Sequence, residues 1–139
     1  MKHFKYQVIL GLFFPLSSLV YSQSNLQDSL SAALDLYAKK QAPKDTQYIN
    51  LLMQLASTYQ TENPDSSVYL SSEALKISKR LGFKKGRLEV LFQLARLEDM
   101  AGNYPRLLTY ANQALKISQE IKAYKIQSEL YNLVMLKIN

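Results

Sequence analysis

The segment EALKIS, from Glu73 to Ser78, returns as QALKIS, from Gln113 to Ser118, and a weaker copy, AALDLY, precedes both at Ala32 to Tyr37. A second pattern, Leu followed by a small or β-branched residue, interleaves with the first at Leu55-Ala56, Leu94-Ala95 and Leu133-Val134, with equal spacing between successive pairs. Two helical signatures alternate along one chain with a period of about 40 residues, which describes stacked helical hairpins: a repeat of this length is one supersecondary unit that buries its apolar face only against its neighbours. The pattern therefore predicts an all-α fold, an α-solenoid of about three antiparallel helix hairpins without strands.

Punctuation agrees with this. Pro43, Pro64, Pro105, Gly82, Gly86 and Gly102 fall between the periodic segments and mark the joints. The helices expected between them run over 26–40, 46–61, 64–81, 87–101, 104–121 and 124–138. In Asn63-Pro64-Asp65 the asparagine is placed to cap a helix, proline fits a first turn that needs no amide donor, and Asp65 faces the positive helix end. Asn103, Tyr104 and Pro105 repeat the arrangement, and Gly82 and Gly102 suit the left-handed backbone that closes a helix. After Ile121 the equivalent place holds Lys122-Ala123, so that turn is expected to be weakly specified. Ala33, Ala74 and Ala114 recur at one place in the repeat, where a missing side chain lets helices approach closely.

The N-terminus has a different character. Lys2, His3 and Lys5 precede the apolar stretch from Val8 to Leu19, and Val20 and Ser22 sit at minus three and minus one of a cleavage before Gln23. Residues 1–22 thus read as a secretory signal peptide, with an uncleaved anchor as the alternative; the stretch is shorter than the roughly 20 residues that span a bilayer and Pro15 interrupts it. Cleavage would leave residues 23–139 as a soluble periplasmic or extracellular domain. Its basic residues fall from 17 to 15 against 11 acids, so the net charge falls from +6 to +4. That excess reads as scattered over helix surfaces, with one cluster at Lys76, Lys79, Arg80, Lys84, Lys85 and Arg87 that suits an acidic partner, anionic membrane or nucleic acid but reads first as a solvated helix end. Nucleic acid is the least fitting partner for an exported chain, and membrane contact is expected only through an uncleaved leader.

The residues that are missing narrow the chemistry. The chain has no Cys, and its only histidine is His3, in the leader. Ser-His and Cys-His nucleophilic sites and His- or Cys-ligated zinc are thereby excluded from the mature domain. Glu98 and Asp99 are adjacent on a helix and point to different faces, which does not suit paired carboxylate catalysis. No glycine-rich phosphate loop is present. The expectation is a non-enzymatic protein without cofactor or metal.

The stretch from Leu88 to Gln119 resembles a tetratricopeptide repeat, carrying Leu94-Ala95, the Gly102-Asn103-Tyr104 turn, Ala111 and Ala114. Glu98 stands where that family places an aromatic, and Leu107 where a small residue is usual. In the preceding unit Leu55-Ala56, Tyr59 and Ala74 match, with Asn63-Pro64-Asp65 replacing the Gly-x-Tyr turn. The resemblance divides the mature chain into a half-repeat at 26–40, repeats at about 46–82 and 86–121, and an incomplete repeat at 124–139. It implies a right-handed superhelix. With its leader and half-repeat the chain is similar to the exported N-terminal sensor regions of bacterial signalling proteins that continue into a membrane span and a histidine kinase or regulator.

In such arrays the first helix of each pair lines a concave surface that receives an extended peptide or a partner helix. The resemblance then implies a groove lined by Asn50, Met53, Ser57 and Gln60, by Glu89, Phe92, Arg96 and Asp99, and by Ser128, Tyr131 and Met135. Met53, Phe92 and Tyr131 occupy one place in three successive units, and Arg96 is suited to a partner carboxylate. The competing reading of this stripe is core covered by adjacent helices. Two functions follow: a module that binds a protein or peptide, or a sensory or structural region that completes its stack by pairing with another copy. The outward residues of the last helix discriminate them, since Ile126, Tyr131, Val134 and Ile138 do not make a polar end cap.

Overall fold

The computed structural model describes Ser22 and residues 24–138. All but one residue of the expected leader lies outside the described residues. Among those described there are helices and turns but no strand: α1 (24–39), α2 (Thr46–Thr58), α3 (Pro64–Arg80), α4 (Lys84–Met100), α5 (Tyr104–Glu120) and α6 (Tyr124–Ile138).

One backbone device closes four of the five turns. Gln41, Gly82, Gly102 and Lys122 take left-handed backbone, with φ of 48°, 63°, 70° and 56°. At the end of α3 the Gly82 amide donates to Lys79 O at 3.2 Å and the Phe83 amide to Ser78 O at 3.0 Å. The same pair of bonds recurs after α1, α4 and α5, satisfying carbonyls that a helix end otherwise leaves without donors. The turn after Ile121 is thus as regular as the others, contrary to the expectation from its missing glycine. Lys122 adopts the conformation at a strain of about 1 kcal/mol, and the Ala123 amide closes the helix on Ser118 O at 2.8 Å.

The helix starts follow their capping residues. Asp45, Asn63 and Asn103 accept from the amides of Tyr48, Ser66 and Arg106. Gly86 is not a joint, in contrast to the sequence reading: α4 begins at Lys84 and Gly86 lies buried inside its first turn. The Phe83 ring lies over this glycine, and any Cβ at 86 would collide with it. At the other end α2 stops at Thr58, short of the expected boundary, because Tyr59 and the Asn63 amide form the turn instead.

Each of α2 to α6 packs on its neighbours in sequence, and α2 also touches α4, as α4 touches α6. α1 runs antiparallel to α2, with Gln27 Nε2 donating to Thr58 O near one end and the Tyr37 and Tyr48 rings edge-on at 5.2 Å near the other. Up-and-down alternation puts the α1/α2, α3/α4 and α5/α6 turns on one edge and the other two turns on the opposite edge. The core consists of two clusters that meet at α4. Val90, Leu94 and Leu97 join Ile49, Leu52, Ala74 and Ile77 on one side, and Leu88, Leu91 and Ala95 join α5 and Leu130 on the other.

Small residues line the inner stripes of α3 and α5. Ser67, Ser71, Ala74 and Ser78 are fully buried, and so are Leu107, Ala111, Ala114 and Ser118 at the equivalent places of the next repeat. α6 departs from the repeat. Leu136, which holds the repeat position of the buried Leu97, is 77% exposed, while Leu130 turns fully into the preceding cluster. With described neighbours on one side only, α6 buries a narrower arc and presents Tyr124, Tyr131 and Met135 outward.

Ala74→Leu or Ala114→Leu should lower stability by roughly 1–3 kcal/mol, because added methylenes force strain into a packed crossing. Ser71→Ala should act in the opposite sense. The buried Ser71 hydroxyl has no hydrogen-bond partner among the described residues, and removing such a group relieves a penalty of about 1 kcal/mol or more. Urea denaturation measures both; equal midpoints for all three variants and the parent would refute the close crossing.

Candidate interaction face

The first helices of the hairpins, α2, α4 and α6, lie side by side, and the residues expected to line a groove fall on them. Their environments differ. Met53 is half-buried against the α2/α3/α4 cluster, and Phe92 is half-buried against the α4/α5/α6 cluster. Tyr131 is 45% and Met135 57% exposed. The three large side chains that share one place in the repeat therefore do not share one degree of burial, because α6 presents a different arc from α4.

Arg96 is exposed, and its guanidinium lies over the Phe92 ring at 6.0 Å from the centroid. This cation–π contact orients the charge outward at the centre of the face. Ser57 is exposed; its hydroxyl donates to Met53 O at 2.9 Å and accepts from Gln93 Nε2 at 3.4 Å, tying α2 to α4. Gln60 is half-buried and lines a cleft of about 180 Å³ with Thr61, Pro64, Leu97, Met100 and Ala101. Asn50 and Ser128 are exposed and Glu89 is half-buried.

Polar links that the sequence reading missed hold the face together. Asp99 is engaged by Lys137 Nζ at 2.9 Å, joining α4 to α6, and this hydrogen bond holds the lysine above its ordinary pKa. The link is consequently in place at neutral pH and weakens as pH rises through the raised lysine value. Gln119 Nε2 donates to the Tyr131 hydroxyl at 3.4 Å from the end of α5. Glu98 stands at the place where the resemblance expects an aromatic, and its carboxylate is buried, with Arg106 of α5 at 3.1 Å. The guanidinium lies above its ordinary pKa, first through its hydrogen bond to the Tyr110 hydroxyl and then through the Glu98 charge. The signal for this pair was the charge itself, an acid where an aromatic belongs, which requires a cation nearby.

The arrangement offers half-exposed apolar surface around one outward guanidinium. Among the described residues no group of His, Cys, Asp or Glu is arranged to hold a metal ion, and no helix is long and apolar enough to cross a membrane.

Arg106→Leu should destabilise the chain by about 1–3 kcal/mol, since it leaves the buried Glu98 carboxylate without its cation. Adding Glu98→Leu should recover most of that loss, because the remaining partner is then apolar. A double variant no more stable than Arg106→Leu in urea denaturation would show that the pair is not coupled.

No protein-family model, curated protein or solved structure matches the chain, so the reading of this face rests on its own chemistry.

Proposed function

We propose that the chain is an exported tetratricopeptide-like interaction module, a right-handed α-solenoid that receives an extended peptide or partner helix on the face formed by α2, α4 and α6. The observation that carries this reading is the Arg96–Phe92 unit at the centre of that face, flanked by Met53 on one side and by exposed Tyr131 and Met135 on the other. Aromatic, methionine and arginine side chains are the types that concentrate binding energy at interfaces. A recognition role without catalysis also accords with a mature sequence lacking histidine and cysteine.

A peptide selected from a displayed library against the chain tests this. Phe92→Ala should weaken its binding by about 1 kcal/mol or more, and Arg96→Glu should weaken it in a salt-dependent way. Stability is measured beside binding. If Phe92→Ala lowers unfolding stability by a core-sized amount, roughly 3–5 kcal/mol, and the peptide still binds, the face is core and the reading fails.

A second reading, a sensory or structural region that completes its stack with another copy, is favoured by exposed apolar residues at both ends. Leu136 and Met135 stand out from α6, and Leu26 and Leu36, each about half exposed, stand out from α1. Beside Leu36 a cleft of about 450 Å³ opens between α1 and α2, lined also by Ala33 and Leu51. Sedimentation should then show a concentration-dependent oligomer that Leu136→Glu dissociates. A monomer at all concentrations would contradict this second reading and leave the first standing.

A further inference from the structure

The fold gathers the basic residues onto one edge. At the α1/α2 turn stand Lys39, Lys40 and Lys44. The α3/α4 turn adds Lys76, Lys79, Arg80, Lys84, Lys85 and Arg87, and the α5/α6 turn adds Lys116, Lys122 and Lys125. The acids nearest in sequence to these three turns are Asp35, Asp45, which caps α2, Glu73, which lies 4.0 Å from Lys76, Glu89, and Glu120, which Lys84 holds at 3.0 Å. The opposite edge, around the α2/α3 and α4/α5 turns, carries Glu62, Asp65, Glu98 and Asp99 against Arg96, Arg106 and Lys137. The sequence reading took the excess charge as scattered; alternation of the helices corrects it, since segments one repeat apart return to the same edge.

Local helix physics accounts for only part of this placement. Lys39 and Lys40 end α1, Lys79 and Arg80 close α3 and Lys122 follows α5, where cations suit the negative helix end. Lys84 and Lys85 open α4 and Lys125 opens α6, where the same dipole disfavours them, and neither helix has an acid in its first turn. α4 also lacks a side-chain cap. All of these cations but the half-buried Arg87 are exposed. A row of exposed charges, three of them placed against a helix dipole, fits an anionic surface outside the molecule.

Two apolar tips decide what kind of surface. Leu81, beside the left-handed Gly82, is 44% exposed, and Tyr124, the first residue of α6, is 69% exposed. Both sit at turns among the lysines. A polyanion in solution has no use for protruding leucine and tyrosine side chains, whereas a lipid headgroup layer accommodates both, tyrosine in particular. We propose that the edge formed by the α1/α2, α3/α4 and α5/α6 turns docks peripherally on an anionic lipid bilayer, its cations on the headgroups and Leu81 and Tyr124 in the interfacial layer. Lysines and arginines near such a surface add attraction within a Debye length, and the face of α2, α4 and α6 stays open to solvent.

The test is co-sedimentation of the chain with phosphatidylcholine vesicles containing about 30% phosphatidylglycerol, beside vesicles of phosphatidylcholine alone. Binding should require the anionic lipid and weaken about tenfold or more between roughly 0.05 and 0.3 M salt. The variant Lys40→Glu/Lys85→Glu/Lys125→Glu, one change per turn, should lose about tenfold or more in partitioning. Leu81→Ser/Tyr124→Ser should lose severalfold while keeping the salt dependence. Circular dichroism and thermal melting confirm that each variant stays folded. Binding that persists unchanged in the triple variant, as insertion of the apolar N-terminal stretch would give, overturns the proposal. So does binding to a soluble sulfated polysaccharide as tightly as to the vesicles, with no effect of Leu81→Ser/Tyr124→Ser.

Discussion

The stack depends on how closely the second helix of each hairpin approaches its neighbours. Ser67, Ser71, Ala74 and Ser78 make the inner stripe of α3 nearly flat, so α2 and α4 both rest against it. Short side chains lose little rotamer freedom on burial, and the contact area comes from the larger partners, Ile49, Leu52, Val90 and Leu94. The arrangement has a local cost in the buried hydroxyls. Ser67 and Ser78 settle theirs on the Ala56 and Leu75 carbonyls at 2.7 and 2.8 Å. In α5, Leu107 and Ala111 replace two of the serines, and the crossing there is more apolar.

That crossing makes α4 the hub. It belongs to both core clusters, and its buried arc is correspondingly wide, from Leu88 through Glu98. α1 and α6, with described neighbours on one side, bury less and keep exposed apolar residues. The difference between α4 and α6 is a difference of context, since the repeat places similar residue types at similar positions. It also sets the chemistry of the face formed by α2, α4 and α6, where Phe92 is clamped between cluster and Arg96 while Tyr131 stands free of the core and bonds to Gln119.

Much of the architecture was legible in the residues. The ALKIS period, the prolines and the capping asparagines located the helices closely and identified all-α packing. Less legible was anything that depends on two distant segments meeting. Gly86 resembles a joint in sequence, yet it is a seat for the Phe83 ring. Lys122 gives no sign of left-handed backbone; the turn is imposed by the two helices that it joins. Only the Lys76 to Arg87 part of the charged edge is visible along the chain, because the cations of the flanking turns arrive one repeat apart and alternation alone aligns them. Glu98 was read as a departure from a pattern, when its burial beside Arg106 replaces an apolar contact with an ionic one. The shared repeat position of Met53, Phe92 and Tyr131 was legible along the chain, but not the unequal burial that separates Phe92 from Tyr131.

The central claim, that small-residue crossings make α3, α4 and α5 the cooperative centre of the stack, is tested most directly by native-state amide hydrogen exchange resolved to individual residues. The account predicts the strongest protection in α4, at Leu91, Leu94 and Ala95, together with the α3 and α5 stripes around Ala74 and Ala114, and declining protection through α2 toward α1 and through α6. Exchange as slow in α6 as in α4, or rapid exchange at Ala74 and Ala114 while the outer helices stay protected, would contradict it.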